Sequence, residues 1–475
     1  MQNTVILVTY AFYLVLLLGI GIWSDRRFGR TYKGFLAADK SLGGWVTAIS
    51  ASASSESAWV MLGLSGLGYS KGLAAYWAAL GCALGFLFTA IFIVVQLHRD
   101  SEALGAITVS DYIELKLHDR SKMLRVISAL LIFIFMMVYV VAQFIGSGKQ
   151  MSGMHLMTYS DGVLMGAVII GIYVVLGGYA AVCWTDLVQG LLMALVMIVF
   201  PIIAFIKLGG ISPVIANIHQ TGQGLFVGGA PFSWLSIGFI TGQLAIGLGY
   251  PGMPHSILRY ITVKEDREAK KAAIITVVWG MVVLFGSATL GIAGRVLLPG
   301  LKDPETILPA FTAQYFHPVI AGIVLAAITA AIMSTADSQL MISATAIVHD
   351  LFYQLKKGGN RVSEKRKIMY SRLIIGIMTL VAMLIALPKP KLIYTLVLFA
   401  WGALGAAFAP VIILSLYWKR FNRWGALASF ISGPITIVLW KIFKLDRHIY
   451  ELVPGFAVSM FFAWIVTILT KRQMK

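Results

Sequence analysis

Polar and apolar positions in this chain alternate in long blocks, most of them near the roughly twenty residues that cross the hydrocarbon core of a bilayer. Thirteen apolar runs stand at 5–23, 44–69, 72–95, 124–147, 161–179, 184–207, 232–252, 272–297, 317–348, 370–387, 393–417, 424–443 and 452–470. They predict an all-α integral membrane protein with about 13 transmembrane helices. Three runs are interrupted by polar or helix-breaking residues. The second carries Ala51-Ser52-Ala53-Ser54-Ser55-Glu56-Ser57, a carboxylate and four hydroxyls at bilayer depth. Charged groups there are costly and normally mark a substrate or ion pathway. The seventh carries Gly238, Gly242, Gly247 and Gly249 ahead of Tyr250-Pro251-Gly252-Met253-Pro254. The ninth carries Ser334, Thr335, Asp337, Ser338 and Gln339.

The second and seventh runs lie five apart. Discontinuous helices at matching places in two halves point to the central site of a secondary transporter. The spacing predicts two inverted five-helix units, runs 2–6 and 7–11. The competing reading is that membrane helices use Gly for close packing. No long linker divides the chain, so one transporter domain is expected over 1–475. Within it, 1–43 holds the first helix and a basic loop, 44–208 and 232–417 the two repeats, and 418–475 the last two helices and the tail.

Composition agrees: 59% of the 475 residues are hydrophobic and 12% are charged, against about 25% charged in soluble domains. The net charge of +18 would suggest nucleic acid if it were spread evenly. Instead it collects on alternate connections. One set holds Arg26, Arg27, Arg30, Lys33 and Lys40, then Arg259, Lys264, Arg267, Lys270 and Lys271, then Lys356, Lys357, Arg361, Lys365, Arg366 and Lys367. Lys419, Arg420, Arg423 and the tail residues Lys471, Arg472 and Lys475 join it. The other set has only scattered charges: Lys71, Lys149, Lys302, Lys389 and Arg447. The positive-inside rule then places the N-terminus outside and the C-terminus inside. No basic segment precedes the first run and no Ala-x-Ala site follows it, so it reads as an anchor and not a cleaved signal.

The connections carry their own expectations. Ile107-Thr108-Val109-Ser110-Asp111-Tyr112-Ile113, with Ser or Thr ahead of an apolar run, predicts a short capped helix in the 96–123 loop. The Gly- and Pro-rich 208–231 stretch reads as irregular. Pro299 to Pro309 fits either a short re-entrant piece or a plain loop. The segment 253–271 reads as a cytoplasmic loop, placing His255 and Arg259 near the surface.

The chemistry on offer is ligation, not catalysis. Sodium is a hard cation that takes oxygen ligands. Carbonyls freed by an unwound second helix, with the hydroxyls of Ser334 and Thr335 facing them, would suit it. The alternative is that each hydroxyl bonds to its own helix at i−4. Asp337 in the same turn favours a site. Asp186 is either a site acid or a first-turn helix cap. Tyr139 and Gln143, at i and i+4, either line a cavity or join helices. Cys82 and Cys183 read as buried packing residues. No nucleophile–base pair or Gly-rich phosphate loop is present, so no enzyme is expected.

Several motifs in order resemble the sodium:solute symporter family, most closely its bacterial sodium/proline symporter branch. They are Lys40-Ser41-Leu42-Gly43-Gly44-Trp45-Val46-Thr47-Ala48, Ser57-Ala58-Trp59, Trp184-Thr185-Asp186-Leu187-Val188-Gln189, Gly247-Leu248-Gly249-Tyr250 with Pro254-His255, and Met333-Ser334-Thr335 with Gln339-Leu340. Trp401-Gly402-Ala403-Leu404-Gly405-Ala406-Ala407-Phe408 with Pro410, and Val453-Pro454-Gly455-Phe456, also fit. The resemblance implies a LeuT-type inverted repeat, alternating access and sodium-driven uptake of a small solute across the bacterial cytoplasmic membrane. L-proline or another small amino acid is the expected cargo. Its sodium site would map onto backbone oxygens of Ala53, Glu56 and Ala331 and the hydroxyls of Ser334 and Thr335, with Asp337 and Asp186 as further candidates. Its substrate pocket would involve Ser54, Ser57, Tyr139 and Tyr250, joined here by Glu56, Gln143 and Ile246. Expected partners are the sodium ion, a small-molecule solute and the lipid bilayer; neither nucleic acid nor an obligate protein partner is expected.

Two positions depart from the proline carriers. Ser55 stands where they have Asp, which leaves open whether Glu56 or Asp337 has taken over that carboxylate's role. Ile246 stands where they have Trp, which removes an aromatic wall. A sodium symporter for a monocarboxylate, vitamin or cationic amine is the alternative. A membrane sensor module is a third class, and no appended output domain is seen up to Lys475.

Overall fold

The computed structural model describes residues 2–28, 31–227, 233–355, 362–388 and 392–470. Arg30, Lys356, Lys357, Arg361, Lys389, Lys471, Arg472 and Lys475, with the side chains of Arg26 and Arg27, lie outside the described residues, as does 228–231 of the loop read as irregular. Apart from an isolated bridge between Leu42 and Val263, the described chain is helix and connection.

Helix α1 (Gln2–Phe28) leads through the single turn Tyr32–Ala37 to α2 (Gly44–Ser55). Beyond a break, a π turn at Trp59–Leu64 runs into α3 (Ser65–Lys71), and α4 (Tyr76–Phe88) and α5 (Val94–Leu104) return. After α6 (Val109–Lys116) come α7 (Met123–Gly153), α8 (Tyr159–Leu176) and α9 (Tyr179–Lys207). The short α10 (Ser212–Thr221) precedes α11 (Trp234–Ala245), a 3₁₀ stretch at Ile246–Gly252, and α12 (Pro254–Thr262). Then follow α13 (Asp266–Leu297), α14 (Ile307–Tyr315), α15 (Pro318–Thr345) and α16 (Glu364–Ala386). The last three are α17 (Ile393–Tyr417), α18 (Arg423–Ile442) and α19 (Leu452–Leu469).

Ten helical stretches among the described residues are long and apolar enough to cross a membrane. Their burial ranks them. The apolar windows of Pro318–Tyr353 and Ile393–Tyr417 are 83% buried, whereas those of α1, α16 and α19 are 28% buried. So α15 and α17 form the centre, and the other three present their apolar faces outward. The protein is a multi-pass, all-helical membrane protein.

Local chemistry explains both breaks. Ser54 and Ser55 turn their hydroxyls back onto the carbonyls of Ser50 (2.7 Å) and Ala51 (2.9 Å). Such back-bonding competes with the helix ladder. Glu56 then leaves helical geometry at φ −93°, ψ 52°. In the second break Ile246–Gly252 tightens to 3₁₀ geometry and Met253 is extended. Pro254, which has no amide to donate, restarts the helix at its first turn.

Several connections differ from expectation. Residues 254–262 are helical and buried, so the seventh crossing continues past residue 252 and His255 and Arg259 lie in the core. The stretch read as irregular holds α10, with Pro213 near its start. The Pro299–Pro309 region forms a 3₁₀ turn and the start of α14. Lys149 is buried and pairs with Asp303 and Glu305, both at 2.7 Å. The Glu305 carboxylate also accepts the Ile393 and Tyr394 amides, capping α17.

The capped helix is present: Thr108 accepts from the Asp111 amide at 3.0 Å. Arg125 at the foot of α7 gathers Asp111 (2.5 Å), Glu114 and Asp350 (2.9 Å). It thereby ties α6 to the end of the crossing that contains α15.

Candidate functional site

The two breaks face one another across the core, and every candidate named from the sequence is at most 2% exposed. A buried helix end must find partners for the backbone groups it releases. Here the intact α15 supplies them to α2. Ser334 donates to Ala53 O at 3.1 Å and reaches its own Ala331 O at 3.3 Å. Thr335 donates to Ser54 O at 3.0 Å and Ala53 O at 3.4 Å. Two hydroxyls thus cross between helices instead of serving only their own i−4 carbonyl. At the break the Val60 amide goes to Ser57 O at 3.0 Å, not to Glu56 O four residues back.

The other side of the break is braced from α7. Tyr139 donates to Ser55 O at 3.2 Å and touches the Ser57 hydroxyl at 3.4 Å. Gln143 accepts the Ala58 amide at 3.2 Å and donates to Ser57 at 3.3 Å. Tyr139 and Gln143 therefore share one face and hold the unwound turn open. The Trp59 indole adds a third bond, to Ser55 O at 3.0 Å.

Tyr250 links the two breaks, donating to a Glu56 carboxylate oxygen at 2.5 Å. Its ring lies 4.3 Å from Phe86 and 4.7 Å, edge-on, from Trp401. Ile246 is buried in the 3₁₀ stretch, and its carbonyl accepts the Trp401 indole at 3.0 Å. The aromatic surface around Tyr250 comes from Trp401 on α17 and Phe86 on α4.

A second network lies beside the hydroxyl pair. Asp186 and Arg259, both fully buried, pair at 2.9 Å. Ser50 donates to Asp186 at 2.5 Å and receives Arg259 Nε at 2.6 Å. Ser54 joins this group, with Ser338 at 2.9 Å and Asp186 at 3.3 Å, and not the Ser57–Tyr139 group. Asp186 stands in the third turn of α9, which removes the helix-cap reading. Asp337 lies alongside, one carboxylate oxygen accepting from Ser338 at 3.3 Å and the other without a hydrogen-bond partner. Cys183 is buried on α9 one turn before Asp186.

Arg259, Ser338 and Trp401 are not among the site residues that the sequence singles out, whereas Asp186 is. Ser338 had a signal, standing four residues after Ser334 and beside Asp337. Trp401 had one too, inside a motif that carries the resemblance. Arg259 had none, because its partners Asp186 and Ser338 are 73 and 79 residues away.

Two interrupted helices around an intact one, with hydroxyls aimed at released carbonyls, define a secondary transporter of the broken-helix class. The chain belongs to the sodium:solute symporter family, whose profile matches residues 35–433. It is 34% identical over 477 residues to the osmoregulated proline transporter OpuE of Bacillus subtilis, covering 99% of this chain and 96% of that one. It is 35% identical over 476 residues to sodium/proline symporter 2 of Staphylococcus saprophyticus, covering 97% and 92%. Among solved structures, a sodium-coupled sialic acid symporter in a substrate-bound outward-open state superposes with a TM-score of 0.82 at 20% identity, over 98% of each chain. That likeness shows the shared fold.

Proposed function

We propose that the protein imports L-proline by sodium symport across the bacterial cytoplasmic membrane. Relatives named proline transporters, alike over nearly their whole length, support that solute. The observation that carries the ion is the placement of the Ser334 and Thr335 hydroxyls on the Ala53 and Ser54 carbonyls. These hard, neutral oxygens, with Ala331 O and the released Glu56 O, fit a sodium ion. Asp337 and Asp186 lie close enough to bias its charge. The solute would lie between the breaks, against Ser57, Tyr139, Gln143, Tyr250 and Ile246, with Ser54 serving the ion side. Because these groups are buried, loading requires the breaks to part. Sodium bridging α2 to α15 would favour one of the two access states, and the solute would bind that state more tightly.

The same reading gives thirteen crossings. Trp59–Leu104 divides at Gly72, whose φ of +61° turns the chain. Tyr159–Leu176 and the broken Trp234–Thr262 crossing complete the count. The basic connections put the N-terminus outside and the C-terminus inside, with repeats at 44–208 and 232–417 in one domain. In proteoliposomes an inward sodium gradient is expected to drive proline accumulation. Equal uptake with choline in place of sodium, or on a pH gradient alone, overturns the proposal.

A further inference from the structure

The side chain of Glu56 is not used by the ion site or by the bracing of the break. It is fully buried. One carboxylate oxygen accepts the Tyr250 hydroxyl; the other has no hydrogen-bond partner. Among the described residues no Lys, Arg or His comes within ion-pair distance of it. The polar groups beside it are already engaged: Ser55 with His255 (3.2 Å) and Ser256 (2.9 Å), Ser57 with Tyr139, Gln143 and the Trp59 amide. A buried carboxylate with a single neutral donor is costly, and it must either take up a proton or be completed by a cation.

The surroundings select the kind of cation. A bare hard ion needs several oxygens, and these cluster at Ala53, Ala331, Ser334 and Thr335. Glu56 instead ends on Tyr250, whose ring is flanked by Phe86 and Trp401. Aromatic faces favour an organic ammonium, whose CH groups pack on the rings while its N–H groups pair with an anion. Glu56 comes from one break and Tyr250 from the other, so a ligand on the free oxygen lies between the two moving elements.

We propose that the Glu56 carboxylate anchors the ammonium group of the transported solute and makes the carrier select against acids that lack a protonated nitrogen. This rests on the proline reading and assigns the group that recognises the solute's nitrogen.

The test compares L-proline with tetrahydrofuran-2-carboxylate, which has a ring oxygen in place of the NH2+ group, in sodium-driven proteoliposomes. Wild type is expected to prefer proline by on the order of 100-fold. In Glu56→Gln the proline KM rises by a similar factor, the inhibition constant of tetrahydrofuran-2-carboxylate stays within about threefold, and sodium still stabilises the protein thermally. A Gln variant that keeps the wild-type preference overturns the anchor while leaving proline symport intact. Absence of proline transport in wild type overturns the parent reading and the anchor with it. If Glu56→Gln is not recovered folded, Glu56→Asp decides: a preference reduced about tenfold supports the anchor, and an unchanged one overturns it.

Discussion

Ser334 and Thr335 each hold a carbonyl belonging to another helix, which separates their role from that of an ordinary membrane-helix hydroxyl. Such hydroxyls usually close on their own i−4 carbonyl, as Thr345 does on Met341 at 2.8 Å. Removing the pair should therefore act twice. Each hydroxyl would give the hard cation one neutral oxygen ligand, so Ser334→Ala with Thr335→Ala is expected to raise the half-saturating sodium concentration at least about tenfold, about 1.4 kcal/mol. Initial uptake rates against sodium measure it. The Ala53 and Ser54 carbonyls also lose donors, and thermal unfolding without sodium should register about 1–3 kcal/mol. These two residues were readable from sequence because serine, threonine and aspartate crowd one turn of an apolar run. Arg259 was misread for the opposite reason. A cation just past a Pro-containing break looks like a loop charge until Asp186, on a distant helix, is seen beneath it.

Among the elements, the broken seventh crossing shows most plainly what the sequence allows and what it hides. Its glycines and prolines announce a break, but not that the helix resumes, because the polar residues of 255–262 find their partners on α2, α9 and α15. The break also depends on close backbone contact with α4. A Cβ on Gly247 would stand 3.1 Å from the Gly81 carbonyl carbon and the Gly85 amide, and closer still to the Gly81 oxygen. Backbone cannot yield as a side-chain tip can. Gly247→Ala is therefore expected to lower both thermal stability, by roughly 1–3 kcal/mol, and maximal uptake, since the 3₁₀ stretch carries Tyr250. Sodium affinity should change little, because the α2–α15 contacts are not touched. Unaltered transport by this variant would show that the α4 contact is not needed for the break.

For the whole molecule, buried charge pairs at the two ends frame the core. Lys149 with Glu305 fastens α7, the 3₁₀ turn ahead of α14 and the start of α17 at one end; Arg125 with Asp111, Glu114 and Asp350 fastens α6, α7 and the end of the α15 crossing at the other. Burial alone would raise the Asp111 carboxyl, but a hydrogen bond from His349 and the Arg125 guanidinium outweigh it and hold Asp111 below the usual carboxylate range. A depressed folded value means Asp111 stabilises the fold fully above its ordinary value of 3.8 and less as pH falls towards the depressed one. Arg125→Met leaves buried carboxylates without their cation, and is expected to lose about 3–5 kcal/mol at neutral pH. The sign then reverses. Those carboxyls now protonate more easily, so the deficit against wild type should shrink towards about pH 5, read by thermal unfolding across pH. The all-helical, multi-pass character was legible because bilayer-length apolar runs follow a simple rule; such clamps, assembled from residues far apart in sequence, were not.

The two thiols have a use that packing alone does not suggest. Cys82 lies on α4, the helix packed against the 3₁₀ stretch that carries Tyr250, and Cys183 lies on α9 one turn before Asp186. Both are free and sealed from solvent. Alkylation at each therefore reports when its own layer of the core becomes reachable, so the native chain carries two accessibility clocks. Their relative rates, with and without sodium or solute, give the order in which those layers unseal without any introduced label.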